Sequence, residues 1–360
     1  MFHRAVAFCL VAIASSMAVA EEMPWIAVSA DRSHFVMAES GERFVPWGVN
    51  YDHDGSGRLI EDYWVDQWPT VVEDFAEIKA LGANVVRVHL QLGRFMKQAD
   101  QANRVHLDKL ADLITLANES GLYLNLTGLG CYHKSDVPAW YDALDESDRW
   151  KVQATFWREI ALVCRGHASV FCYDLMNEPV IAGGDTRDGW LAGELGGKHF
   201  VQRIALKLEG RTRQEIASRW IEQLTESIRK VDDRHLITVG VIPWAHVFKG
   251  AKPLFHDPQV GRSLDFVSVH FYPKSGEVDQ ALNALKVYDV GKPLVVEEMF
   301  PLKCGTEELM RFVRQSSDFC DGWFSFYWGE TIQENQAKGD IGGAIKAQWL
   351  QAFQQGPPEQ

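Results

Sequence analysis

The chain holds only six cysteines, and none falls in a C-x-x-C pair or a zinc-binding spacing. H-E-x-x-H is absent, which removes the common zinc-hydrolase helix, and no G-x-S-x-G turn is present to expose an esterase serine. No glycine-rich dinucleotide turn follows a strand-like run. Asp52-His53-Asp54-Gly55-Ser56-Gly57 opens like a calcium loop but places Tyr63 where the bidentate acid belongs. No metal or cofactor is therefore expected. Low-complexity linkers, charge runs and short repeats are also missing, so a single domain is favoured. The formal charge of −13 argues against nucleic acid and anionic membrane surfaces as partners.

The first 20 of the 360 residues read as a signal peptide. Met1-Phe2-His3-Arg4 is a short basic start, Ala5 to Met17 an apolar run, and Ala18-Val19-Ala20 an A-x-A cleavage site. No other stretch is apolar enough to cross a bilayer. Export to a periplasm or the outside is expected, with residues 21–360 as one domain acting as a monomer. Five cysteines would remain. In an oxidising compartment Cys164–Cys172 and Cys304–Cys320 are candidate bridges that leave Cys131 alone; five buried thiols are the alternative.

Short apolar runs alternate with amphipathic ones. Strands are predicted at Phe44–Asn50, Asn84–Leu90, Leu122–Thr127, Val170–Met176, Leu236–Val241, Phe266–Phe271, Leu294–Glu298 and Trp323–Trp328. Helices are predicted at Val71–Leu81, Leu107–Ser120, Arg149–Cys164, Arg213–Val231, Val278–Val287 and Thr306–Ser317. This alternation gives an α/β fold, a (β/α)8 TIM barrel, with a short N-terminal β-hairpin around Glu39-Ser40-Gly41-Glu42. A doubly wound open sheet is the fallback. Barrel enzymes build their sites at the C-terminal ends of the strands, so those ends carry the functional reading.

The fourth predicted strand stops at Asn177-Glu178-Pro179, where proline ends the ladder. The seventh ends in Glu297-Glu298. Acids at the mouths of two buried strands are what glycoside hydrolysis by paired carboxylates requires. Arg87 and His89 share a face of the second strand, and His270 and Tyr272 a face of the sixth. Trp328 closes the eighth. Trp190 and Trp244, on later loops, are candidate sugar platforms, since an indole face stacks on the C–H face of a pyranose.

The ordered set Arg87, Asn177-Glu178-Pro179, His270-x-Tyr272, Glu298 and Trp328 resembles glycoside hydrolase family 5, the cellulase and mannanase barrels. The resemblance runs from the N-terminal hairpin to Trp328. It implies a retaining glycosidase with Glu178 as acid/base and Glu298 as nucleophile. Arg87 and Tyr272 would keep Glu298 charged, Asn177 would grip the sugar 2-hydroxyl, His270 would orient or shuttle near Glu178, and Trp328 would floor the subsite. Glu298 is preferred over Glu297 on the family spacing from Pro293, and because neighbouring strand residues point to opposite faces. Two departures stand out: Met299-Phe300-Pro301 follows the nucleophile where the family has an aromatic and glycine, and the third strand carries Asn125 and Thr127 where many members have Asp-x-His. The segment Ile181–Arg211 reads either as a wall at one end of a cleft, favouring short or terminal substrates, or as surface decoration. The expected substrate is a β-linked glucan, mannan or derived oligosaccharide. The rivals are a sugar-binding barrel without turnover and an exo-acting glycosidase.

Overall fold

The computed structural model describes residues 23–51, 54–183 and 189–359. The predicted signal peptide, the first two residues of the calcium-like run and the middle of the 181–211 segment lie outside them. Eight parallel strands form the barrel: β1 (Trp47–Asn50), β2 (Val85–Gln91), β3 (Tyr123–Gly130), β4 (Val170–Asp174), β5 (Leu236–Thr238, resumed at Gly240–Val241), β6 (Val267–His270), β7 (Leu294–Met299) and β8 (Gly322–Ser325). The two pieces of β5 pair with β4 and β6 respectively, and β8 pairs with β1 through Trp323 and Trp47, so the sheet closes.

Among the described residues, seven helices of eight residues or more surround the sheet: α1 (Trp68–Ala80), α2 (Arg104–Ser120), α3 (Glu146–Cys164), α4 (Arg213–Arg229), α5 (Val278–Leu285), α6 (Thr306–Ser316) and α7 (Ile341–Phe353). Local chemistry sets their starts. Asp145 accepts from the Asp148 N–H ahead of α3, and Thr212 and Glu215 form a reciprocal capping box at α4. The β5–β6 connection holds only the one-turn helix Trp244–Val247. The eighth position in the helix ring is therefore thin.

Alternation along the strands stacks the barrel interior in layers. At the N-terminal end Val85, Tyr123, Cys172, Leu236, Phe266, Val295 and Phe324 form one apolar cluster with Ile26, Phe35, Phe44 and Phe171. The expected hairpin is present as Phe35–Met37 paired with Arg43–Phe44, and a third strand, Ile26–Val28, adds to it. That strand was not anticipated because three residues are too few to show a period. Its sheet plugs the barrel floor, with the Phe35 ring 5.2 Å from both Phe171 and Phe266. Two residues further along the same inward columns the lining turns polar: Arg87, Asn125, Asp174, Ser268 and Glu297, all buried.

The five described cysteines are free thiols, so the candidate bridges do not form. Cys172 faces the barrel interior, whereas Cys164 packs with the sheet-to-helix layer on the other side of β4. Cys304 lies before α6 and Cys320 after it, so the length of that helix separates them.

Candidate active site

Glu178 follows β4 and takes a left-handed backbone, φ 47°. Its N–H donates to Gly240 O at 2.9 Å, which ties the turn to β5. Its carboxylate Oε1 accepts from His270 Nδ1 at 2.8 Å. Glu298, near the end of β7, receives Arg87 Nη1 at 2.7 Å on Oε1 and the Tyr272 hydroxyl at 2.8 Å on Oε2. His270 Nδ1 also lies 3.5 Å from Glu298 Oε2. One oxygen of Glu178, one of Glu298 and a His270 ring nitrogen all fall within 4.8 Å of each other.

Arg87 is the hub beneath this pair. Nη1 also donates to Asn50 Oδ1 at 2.8 Å, and Nη2 donates to Asp174 Oδ2 at 2.7 Å and Asn177 Oδ1 at 2.8 Å. Burial works against its charge, but Glu297, Asp174 and Glu298 outweigh burial and hold the guanidinium above its usual range. Burial and neighbouring Glu297 push Asp174 up to about 6. Glu297 itself goes the other way, to about 2, because Arg87 and His270 overcome its burial. Burial, with Glu178 nearby, raises Glu298 against the pull of His270, Arg87 and Tyr272. Burial would likewise discharge His270, yet Glu298, Glu178 and Glu297 hold its proton to about 10.

The alternation argument that admitted only one of the two glutamates does not hold. The ladder slips by one residue between Val296 and Met299 on the β8 side, and His270 pairs with Glu298 on the β6 side. This extra residue is a β-bulge, which re-aims side chains locally. Glu297 continues the inward column from Val295 and is fully buried, held by Asn125 Nδ2, the Ser268 hydroxyl and, at 3.6 Å, Arg87 Nε. Glu298 is turned into the mouth above it.

A cavity of about 400 Å³ opens over the pair, bordered by Asn177, Glu178, Tyr272, Glu298, Phe200 and Phe326, with Leu195, Leu302, Lys303 and Lys346 around them. Arg87, Asn177, Glu178, His270, Tyr272 and Glu298 are thus brought together. His89 joins them from below: it is buried on Tyr132 and on the same Asn50 oxygen that accepts from Arg87, and it does not line the cavity. The three predicted tryptophans are not brought in. Trp328 is buried and packs on Tyr51, so it is not the floor; Phe326 and Tyr327, just before it, line the cavity. Trp190 is buried with its ring under the Arg149 guanidinium at 4.3 Å, so it is no platform. Trp244 is partly exposed and stacks on Phe248, but it borders a separate recess of about 660 Å³ that shares no lining residue with the cavity. Asn50, Asp174 and Ser268 were missed, and Asn125 was noted only as a departure from the family pattern. Their signal was a polar residue on the inward phase of an apolar strand.

The 181–211 segment is pinned where it is described. Leu191 bridges Gln202 and Leu195 bridges Lys198, and the Phe200 carbonyl accepts from Asn177 Nδ2 at 3.0 Å. Phe200 and Leu195 bring this segment to the cavity wall.

A barrel with two glutamates at adjacent points of its C-terminal mouth, one hydrogen-bonded to histidine and the other to arginine and tyrosine, has the equipment of a glycoside hydrolase. The family model for cellulase (glycosyl hydrolase family 5) matches residues 41–311, and the chain belongs to that family. No curated protein sequence matches it. Solved structures with the same fold include the exo-β-1,4-mannosidase Op5Man5 of an Opitutaceae bacterium, strain TAV5, at 18% identity and TM-score 0.66. That match covers 91% of this chain, which spans 61% of that protein's length. The β-1,4-mannanase of the sea hare Aplysia kurodai matches at 15% identity and TM-score 0.62, covering 91% and 96% of the two chains. The catalytic domain of Thermobifida fusca endoglucanase Cel5A matches at 18% identity and TM-score 0.59, covering 92% and 97%.

Proposed function

We propose that the protein is an exported, retaining β-glycosidase acting on a β-linked glucan, mannan or derived oligosaccharide by double displacement. The observation that carries this reading is the approach of Glu178 and Glu298 oxygens to within 4.8 Å. Retaining pairs hold their carboxyl groups about 5–5.5 Å apart and inverting pairs roughly 6.5–9.5 Å; nearest oxygens this close fit the compact arrangement, and membership of family 5 supports retention. In the first step a Glu298 oxygen attacks the anomeric carbon while Glu178 gives its proton to the departing oxygen. In the second step Glu178 takes a proton from water, which attacks the same carbon and releases Glu298. Arg87 and Tyr272 each donate to a different oxygen of Glu298, so the carboxylate returns to a prepared position after each turnover. Asn177 borders the sugar position with its amide oxygen committed to Arg87 and one N–H to the Phe200 carbonyl, which leaves its second N–H for the substrate.

The glycan substrate is supported by the family and by solved structures of the same fold named as a mannosidase, a mannanase and an endoglucanase. The wall made by Phe200 and Leu195 favours short or terminal substrates over the middle of a long chain. Export rests on the Met1–Ala20 pattern alone.

The test is to incubate the protein with 2-deoxy-2-fluoro β-glycosides carrying a good leaving group, in gluco and manno forms, and to map the labelled peptide by mass spectrometry. A label on Glu298 is expected, and the sugar that labels faster identifies the first subsite's preference. A label on Glu297, or no label with oligosaccharide binding intact, would overturn the assignment.

A further inference from the structure

Glu297 has no place in the two-step chemistry, yet it is a fully buried carboxylate directly below it. The barrel wall makes room for it. A Cβ on Gly240 would sit 2.7 Å from Glu297 Oε2, 2.9 Å from His270 Nε2 and 3.0 Å from Arg87 Nη2. Three charged groups thus converge on the one position of β5 that has no side chain. Glu297 Oε2 lies 3.9 Å from His270 Nε2, too long for a hydrogen bond but close for a charge pair.

The other face of the imidazole meets acids as well. Nδ1 is 2.8 Å from Glu178 Oε1 and 3.5 Å from Glu298 Oε2. Both ring nitrogens therefore point at carboxylate oxygens, and a bare lone pair on either would be repelled. The charged groups around the ring are Glu178 from the β4 end, Glu297 and Glu298 from β7, and Arg87 from β2. Tyr272 follows on the ring's own strand, and β5 contributes only Gly240.

We propose that Glu297 is a positioning residue for the acid/base step: from below, it keeps His270 doubly protonated, so that Nδ1–H stays on Glu178 through both proton transfers. The inference rests on the double-displacement reading above. Removing the carboxylate makes His270 easier to discharge, and the His270–Glu178 unit then loses its proton at lower pH. The high proton affinity of His270, near 10, agrees with this arrangement. Asn125 and Ser268 complete the cradle by donating to Glu297 from β3 and β6.

The experiment measures kcat/KM against pH for Glu297→Gln, Glu297→Asp and Ser268→Ala on two aryl β-glycosides. One leaving group is dinitrophenolate, which departs without a proton, and the other is phenolate, which needs one. For Glu297→Gln the phenyl glycoside is expected to lose about 10- to 100-fold, with its alkaline limb displaced to lower pH. The dinitrophenyl rate and fluoro-sugar labelling of Glu298 are expected to hold. Glu297→Asp restores the limb, and Ser268→Ala shifts it in the same direction by less. Equal losses on both substrates with an unmoved limb would overturn the proposal and leave Glu297 as a mere prop for Arg87. Should Glu297→Gln fail to fold, Ser268→Ala decides between the same two patterns. A wild-type protein that cleaves neither glycoside and takes no label would instead remove the retaining reading itself, and this inference with it.

Discussion

The two ends of the barrel are made from the same eight strands with the same period of two, and they have opposite contents. At the floor the inward positions are Val85, Tyr123, Phe266, Val295 and Phe324, closed from below by Phe35 and Phe44. One step up, the same columns hold Arg87, Asn125, Ser268 and Glu297. The floor gains from burial of aromatic surface and asks nothing of its neighbours except shape. The mouth buries charge, which is costly unless every charge has a partner in place. A side chain is therefore replaceable by size at one end and only by chemistry at the other.

The sharpest break of that comparison is Glu298→Gln. It nearly keeps the volume and is expected to lower kcat by about 10⁴-fold or more while the melting temperature moves little. Thermal unfolding and turnover of the same preparation check it. Phe171→Ala at the floor should do the reverse, costing about 3–5 kcal/mol of stability by chemical denaturation, with kcat per folded molecule unchanged.

Phe326 and Trp328 sharpen the contrast within three residues. Phe326 lines the cavity, so Phe326→Ala should lower kcat/KM by about 10-fold with modest loss of stability. Trp328 is buried on Tyr51, so Trp328→Ala should behave like a floor mutation, which denaturant titration beside substrate kinetics would separate.

The smallest effect belongs to a charge without chemistry. Glu61 is fully buried near β2, accepts the Gln91 N–H at 2.7 Å, and is pushed up to about 8 by burial. The native state thus holds a proton that the unfolded chain releases above about 4.5, and stability falls as pH rises between those values. Glu61→Gln should be neutral at pH 4 and stabilise by about 1–3 kcal/mol near pH 8, read from melts at the two pH values.

Much of this was legible in the sequence. The strand series from Phe44 to Trp328 and six helices were expected within a few residues, because near-continuous apolar strands separated by amphipathic helices leave few alternatives. Arg87, Asn177, Glu178, His270, Tyr272 and Glu298 could be named because each is a polar residue within or just beyond a predicted apolar strand. What stayed hidden depended on register. The bulge at Glu297 leaves no local mark, since the residues that slip are decided by pairing with β6 and β8. Trp328 was named as the floor through the family resemblance, and only the backbone beyond β8 decides which ring meets the cavity. The Cys164–Cys172 pairing failed because sequence distance is blind to which side of a sheet a thiol faces.

The left-handed backbone at Glu178 has a consequence for how such a protein can be improved. A side chain held there costs about 1–3 kcal/mol that glycine would return. A screen that rewards heat resistance alone would therefore drift toward replacing the residue proposed to handle the proton. Directed evolution of this barrel should score turnover in every round, or its hardiest descendants will be inert.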